Sequence, residues 1–157
     1  MSLLAVAYVA FALLLAALSV FGVVHAGRGT PISRRAAHIA LGAWLIALLL
    51  MTLRPAASTE RLNLIPDLGG ANFSPFDTIA NMAVFLPLGL ILAASRHTIW
   101  KSLAIGLVVS LGVETAQFII DAGRAADIND VITNLAGTAV GWGVARVIHR
   151  ATLPRAR

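Results

Sequence analysis

Cysteine is absent from the 157 residues, so no disulfide framework, thiolate nucleophile or cysteine-ligated metal site can be built. Charge is scarce as well. Charged residues make up 12 % of the chain, against roughly 25 % in an ordinary soluble domain. Lysine is reduced to Lys101, the other basic residues all being arginine. The net charge of +5 and the pI of about 11.4 raise nucleic acid as a partner. The basic residues, however, sit in short segments and at the C-terminus without interleaved aromatics, so nucleic-acid binding is not expected. Neither an HExxH run, a phosphate loop nor a nucleophile motif occurs. His25, His38, His97 and His149 are scattered without metal-ligand spacing. They read as interfacial residues, and no metal and no cofactor is expected.

What fills the chain instead is apolar: 59 % of residues are hydrophobic, more than a domain of this size can cover with its own polar surface, so the expected environment is lipid. A membrane-crossing helix needs about 20 mainly apolar residues. Runs of that kind extend from Leu3 to Val24, Ala36 to Leu53, Pro75 to Ser95, Ile99 to Ile120 and Asp127 to Ile148. The first lacks a basic leader and its apolar run is too long for a signal peptide, which predicts a retained helix. Ser74-Pro75-Phe76-Asp77 and Asp127-Ile128-Asn129-Asp130 supply caps and first-turn acids for the third and fifth runs. Pro55, Pro66 and Gly69-Gly70 break the stretch between the second and third. The predicted fold is an all-α polytopic bundle of five transmembrane helices.

Charge sets the predicted orientation. Arg28, Arg34, Arg35, Arg96, Lys101, Arg146, Arg150, Arg155 and Arg157 fall on one side of the alternating spans, with no carboxylate among them. Glu60, Asp67, Asp77, Asp121, Asp127 and Asp130 fall on the other, with Arg54, Arg61 and Arg124. The positive-inside rule then places the N-terminus outside and the C-terminus in the cytoplasm, in a plasma or inner membrane.

Glu114 is the one carboxylate inside a span, ~9 Å below the outer end of the fourth helix at 1.5 Å per residue. Asn81 and Asn134 lie at a similar depth in the third and fifth helices. Gln117 shares the face of Glu114, and Asp130 that of Asn134. Arg124 and Asp127 lie just above. These seven form the candidate binding cluster. An intramembrane carboxylate costs at least ~2.5–3.5 kcal/mol, so Glu114 needs a partner, for which Arg124 is the nearest cation. The plainer readings are that Asp127 and Asp130 cap a helix and that the asparagines bond across helices. Ser102, Gly106, Ser110 and Glu114 make a small-residue stripe, Gly137 and Gly141 a GxxxG pair, and Pro87 and Gly89 a predicted kink or thinning. If the stripe meets the GxxxG pair, Glu114 points toward Asn134.

These residues resemble a known family. Asn81-Met-Ala-Val-Phe85-Leu-Pro87-Leu-Gly89 is similar to the N-x-x-x-F-x-P-x-G signature of VanZ-like membrane proteins. Ser110-x3-Glu114-x2-Gln117, Arg124-x2-Asp127-x2-Asp130 and Asn134-x2-Gly137-x3-Gly141 are similar to its second half, and Asn63-Leu64-Ile65-Pro66 to the segment leading in. The likeness spans 36–148, preceded by a helix and basic loop (1–35) and followed by a basic tail (149–157). It departs at Asp67, where an aromatic is common, and in the Gly-rich loop 54–76. The resemblance implies a bacterial envelope protein connected with low-level teicoplanin resistance, without fixing a reaction. Three readings stay open. The cluster engages a lipid-linked envelope component or a glycopeptide; or Glu114 and Arg124 serve a lipid-phosphate enzyme or translocase; or the chain is a structural subunit.

Overall fold

The computed structural model describes residues 2–52, 62–66, 74–120 and 126–152. Among them are five helices, α1 (Leu3–Gly27), α2 (Arg34–Thr52), α3 (Pro75–Ala94), α4 (Ile99–Ile120) and α5 (Ile128–Thr152). Each is long and apolar enough to cross a membrane. The strand pairing among the described residues is two residues long and parallel, β1 (Leu62–Asn63) with β2 (Ala126–Asp127), in register Leu62 to Ala126 and Asn63 to Asp127.

The expected caps form. Ser74 Oγ accepts from the Asp77 N–H at 3.2 Å, with Pro75 opening α3. Ser2 does the same for Ala5 at the start of α1. Two helices run beyond the apolar segments, α1 to Gly27 and α5 to Thr152. Their added turns carry His25, His149 and Arg150, and basic side chains near a helix C-terminus interact favourably with its dipole.

The bundle is organised around α3. Phe85 and the whole stretch from Pro87 to Ala94 are buried, with α5, α1 and α2 packed around them. The α3–α5 contact is backbone on backbone. A Cβ at Gly89 would overlap the Thr138 carbonyl oxygen, one at Gly137 the Met82 oxygen, and one at Gly141 the Leu86 oxygen. Gly22 lets α1 approach in the same way, since a Cβ there would lie 2.7 Å from that of Leu90. On α2, Trp44 meets Phe85 edge-on at 5.3 Å and donates its indole N–H to the Val84 carbonyl at 2.8 Å. Helix α3 stays continuous through Pro87. Gly89 is therefore a point of close approach to α5.

The two small-residue motifs do not meet each other as expected. Gly137 and Gly141 face α3, while the α4 stripe packs on Thr138, whose Oγ1 would lie 2.9 Å from a Cβ at Gly106. At 3.6 residues per turn, positions 137 and 141 fall on a face adjacent to, but distinct from, that of 134 and 138. One helix thus serves two neighbours. Large apolar side chains such as Leu13, Ile39, Leu50, Val108 and Val147 point outward, where lipid would cover them.

A graded pair of substitutions checks this packing. Gly89→Ala should destabilise the bundle by about 1–3 kcal/mol through overpacking. Gly112→Ala, on an open face of α4 with nothing within 4 Å, should leave it unchanged. Thermal unfolding of the two variants in detergent reads the difference.

Candidate functional site

The polar residues gather at the end of the bundle where α3 and α5 begin. Asn81, in the second turn of α3, donates from Nδ2 to Asp130 Oδ1 at 2.6 Å, a short bond to a charged acceptor. One turn further along α5, Asn134 donates from Nδ2 to Ser110 Oγ at 3.0 Å, both residues being buried. Thr138, a turn deeper again, returns its hydroxyl to the Asn134 carbonyl at 3.0 Å. Successive turns of α5 therefore hold α3 and α4 by different polar links.

Glu114 lies one turn above Ser110 and is 8 % exposed. Its Oε2 accepts the Asp127 backbone N–H at 2.8 Å. This corrects the expectation that Glu114 turns toward Asn134, whose amide is taken by Ser110 while the carboxylate reaches the entry to α5. Asp127 caps that helix: Oδ1 accepts from the Asn129 backbone N–H at 2.8 Å and from its side-chain Nδ2 at 2.8 Å. Its Oδ2 accepts from Asn63 Nδ2 at 3.2 Å. The capping reading of Asp127 holds, and the same carboxylate also anchors β1. Asn63 Oδ1 accepts the Ile65 N–H at 3.2 Å, and Asn129 Nδ2 reaches the Ile65 carbonyl at 3.4 Å. The short segment 62–66 is thereby tied across the start of α5.

Gln117 is buried and donates from Nε2 to the Thr52 carbonyl at 3.0 Å. It satisfies one of the carbonyls left open at the end of α2 and so links α2 to α4. Arg124, expected to pair with Glu114, lies outside the described residues, as does Asp67. Asn129 and Thr52 were not singled out in the sequence. The spacing Asp127-x-Asn129 carried the signal of an Asx-type cap, whereas nothing local marked Thr52.

Beside these groups opens a groove of about 270 Å³ between β1, α4 and the start of α5. Leu62, Leu64, Leu111, Phe118 and Val131 supply apolar walls, and Glu114 and Asp127 stand among them. With Asp130 nearby, the described part of this region is rich in acceptors and negative charge. It suits a ligand with an apolar body and a head that donates hydrogen bonds. Among the described residues no group of three or more His, Asp or Glu is placed to hold a metal ion.

A family model described as VanZ/LLP1 matches residues 5–149, taking in α1 as well as the segment that carries the recognisable motifs. No curated protein matches the chain, and no solved structure matches it.

The Asn81–Asp130 link is open to a double-mutant cycle. Asn81→Ala and Asp130→Ala, singly and together, should show a coupling of about 0.6 kcal/mol, the average for interhelical polar pairs in membranes, and no more than about 1.7 kcal/mol. Reversible unfolding in mixed micelles supplies the four stabilities.

Proposed function

Because the chain belongs to the VanZ/LLP1 family, we propose that it is a multi-pass protein of the bacterial cell membrane whose groove engages an amphiphilic envelope component. A lipid-linked cell-wall component or a lipophilic glycopeptide of the teicoplanin kind has the required chemistry. The observation that carries the reading is the placing of Glu114 and Asp127 within an apolar groove at the end of the bundle. An acyl or polyprenyl chain would lie along Leu111, Phe118 and Val131, and donors on the head would meet the carboxylates. Burial of the chain contributes about 25 cal/mol per Å², and the polar contacts fix its position.

The proposed orientation puts this end outward and the arginine-rich end in the cytoplasm. It rests on the distribution of charge: Arg28, Arg34, Arg35, Arg96 and Lys101 at one end, Asp77, Asp127 and Asp130 at the other. The competing reading is a lipid-phosphate enzyme or translocase using Glu114 and Arg124. Among the described residues the lining is acceptor-rich, which favours a hydrogen-bond-donating head over a phosphate, because carboxylates repel a phosphate unless cations outnumber them.

Teicoplanin susceptibility in a sensitive host, with membrane levels matched, tests the proposal. The wild-type chain should raise the inhibitory concentration, Glu114→Ala should abolish the rise, and Glu114→Gln should weaken it moderately, since shape and part of the hydrogen bonding survive. Loss of the whole effect in a stably expressed Glu114→Gln chain, together with lipid-phosphate turnover by wild type in proteoliposomes, would favour the enzyme.

A further inference from the structure

At the opposite end of the bundle a second cavity, of about 190 Å³, lies between the ends of α1, α3 and α5. It has room for roughly six waters at ~30 Å³ each. Its polar lining is Thr30 and four basic residues, His25, Arg96, Arg146 and His149. The residues are far apart in sequence and come from three helix ends, so the cavity is a product of the fold. We propose that this cavity binds a phosphate group, carried by an anionic lipid or free in solution.

Three observations support it. First, among the described residues its arginines lack acidic partners. Among the described residues no carboxylate pairs with Arg96 or Arg146, and Glu114 on α4 is ~22 Å along the helix from Ile99. Carbonyls in the last turn of α1 and just beyond its end meet part of the basic charge. Arg96 donates to the Gly29 carbonyl at 3.3 Å, and His149 Nδ1 to that of Ala26 at 3.3 Å. They leave Arg146 unmatched, with its Nε enclosed and without a hydrogen-bond partner. An anion beside the guanidinium would offset that desolvation.

Second, Arg146 is held in place. Its guanidinium lies 5.5 Å from the centre of the Trp142 ring, and Trp142 donates to the His97 carbonyl at 2.9 Å. A fixed, planar fork is what phosphate recognition uses.

Third, Arg96 occupies a backbone conformation that favours glycine. Its φ is +64°, just past the end of α3, at the helix-terminating position where glycine is usual. A long cationic side chain there is not explained by helix termination. It is explained if the charge is needed at the cavity mouth. Basic pockets between transmembrane helices are suited to anionic headgroups, and this one sits at the end of five membrane-spanning helices.

The test uses the full chain purified in mild detergent. Native mass spectrometry with equimolar phosphatidylglycerol and phosphatidylcholine reads lipid retention, and thermal unfolding with inorganic phosphate against chloride at equal ionic strength reads the free anion. Preferential retention of phosphatidylglycerol assigns a lipid headgroup, and stabilisation by phosphate without lipid preference assigns a soluble ligand. Arg146→Gln should lower either signal about tenfold, as expected for losing a charge-assisted contact. Arg96→Gly removes the charge and relaxes the backbone, so it should unfold at a higher temperature and still bind less. Arg35→Gln, exposed and outside the cavity, should bind like wild type. Equal retention of the two lipids with no response to phosphate would overturn the proposal. So would an Arg35→Gln loss as large as that of Arg146→Gln, or full binding by Arg96→Gly and Arg146→Gln.

Discussion

The close approach of α3 and α5 is the contact on which the rest of the structure depends. Three glycines, Gly89, Gly137 and Gly141, allow main chain to touch main chain where any side chain would collide. In lipid there is little hydrophobic drive between helices, so such packing and interhelical hydrogen bonds supply the association. The approach fixes the depth of α5 against α3, and that depth brings Asp130 level with Asn81. It also turns the next face of α5 toward α4, where Asn134 meets Ser110 and Thr138 fills the gap at Gly106. Glu114 then comes within reach of the α5 entry, and β1 is anchored through Asp127.

Within this frame Glu114 and Gln117 are hydrogen-bonded, which lowers the high cost of polar groups in hydrocarbon. Glu114 bonds a backbone N–H that a helix start leaves open, and Gln117 bonds a carbonyl that a helix end leaves open. Asp127 both caps α5 and lines the groove. The two ends of the bundle thus have opposite character, one rich in carboxylates and amides, the other in arginine and histidine.

Much of this was legible from composition and spacing. The five spans followed from apolar run length, and the start of α3 from Ser74 and Pro75, because both signals are local. The common depth expected for Asn81, Glu114 and Asn134 resolves into successive turns, with Asn81 level with Asp130 and Asn134, one turn deeper, level with Ser110, because rise per residue converts sequence distance to depth only within one helix. Partner choice did not follow from spacing. Helical periodicity gives a face but not the neighbour that covers it, so Gly137 and Gly141 could not be assigned to α3, nor Asn134 to Ser110. The β1–β2 pairing is two residues long, too short for alternation to register. The basic cavity escaped notice because His25 and His149 each look like single interfacial residues until the helix ends are brought together.

The central claim is that the groove beside Glu114 and Asp127 holds an envelope amphiphile. A photo-crosslinking residue at Leu111, which lines the groove, can be compared in living bacteria with one at Val108, which is exposed on the same helix and outside the groove. Mass analysis of the adducts identifies what each position touches. The account predicts a head-bearing amphiphile at Leu111 that disappears in the Glu114→Ala chain, and bulk phospholipid at Val108. The same phospholipid adducts at both positions, unchanged by Glu114→Ala, would contradict it.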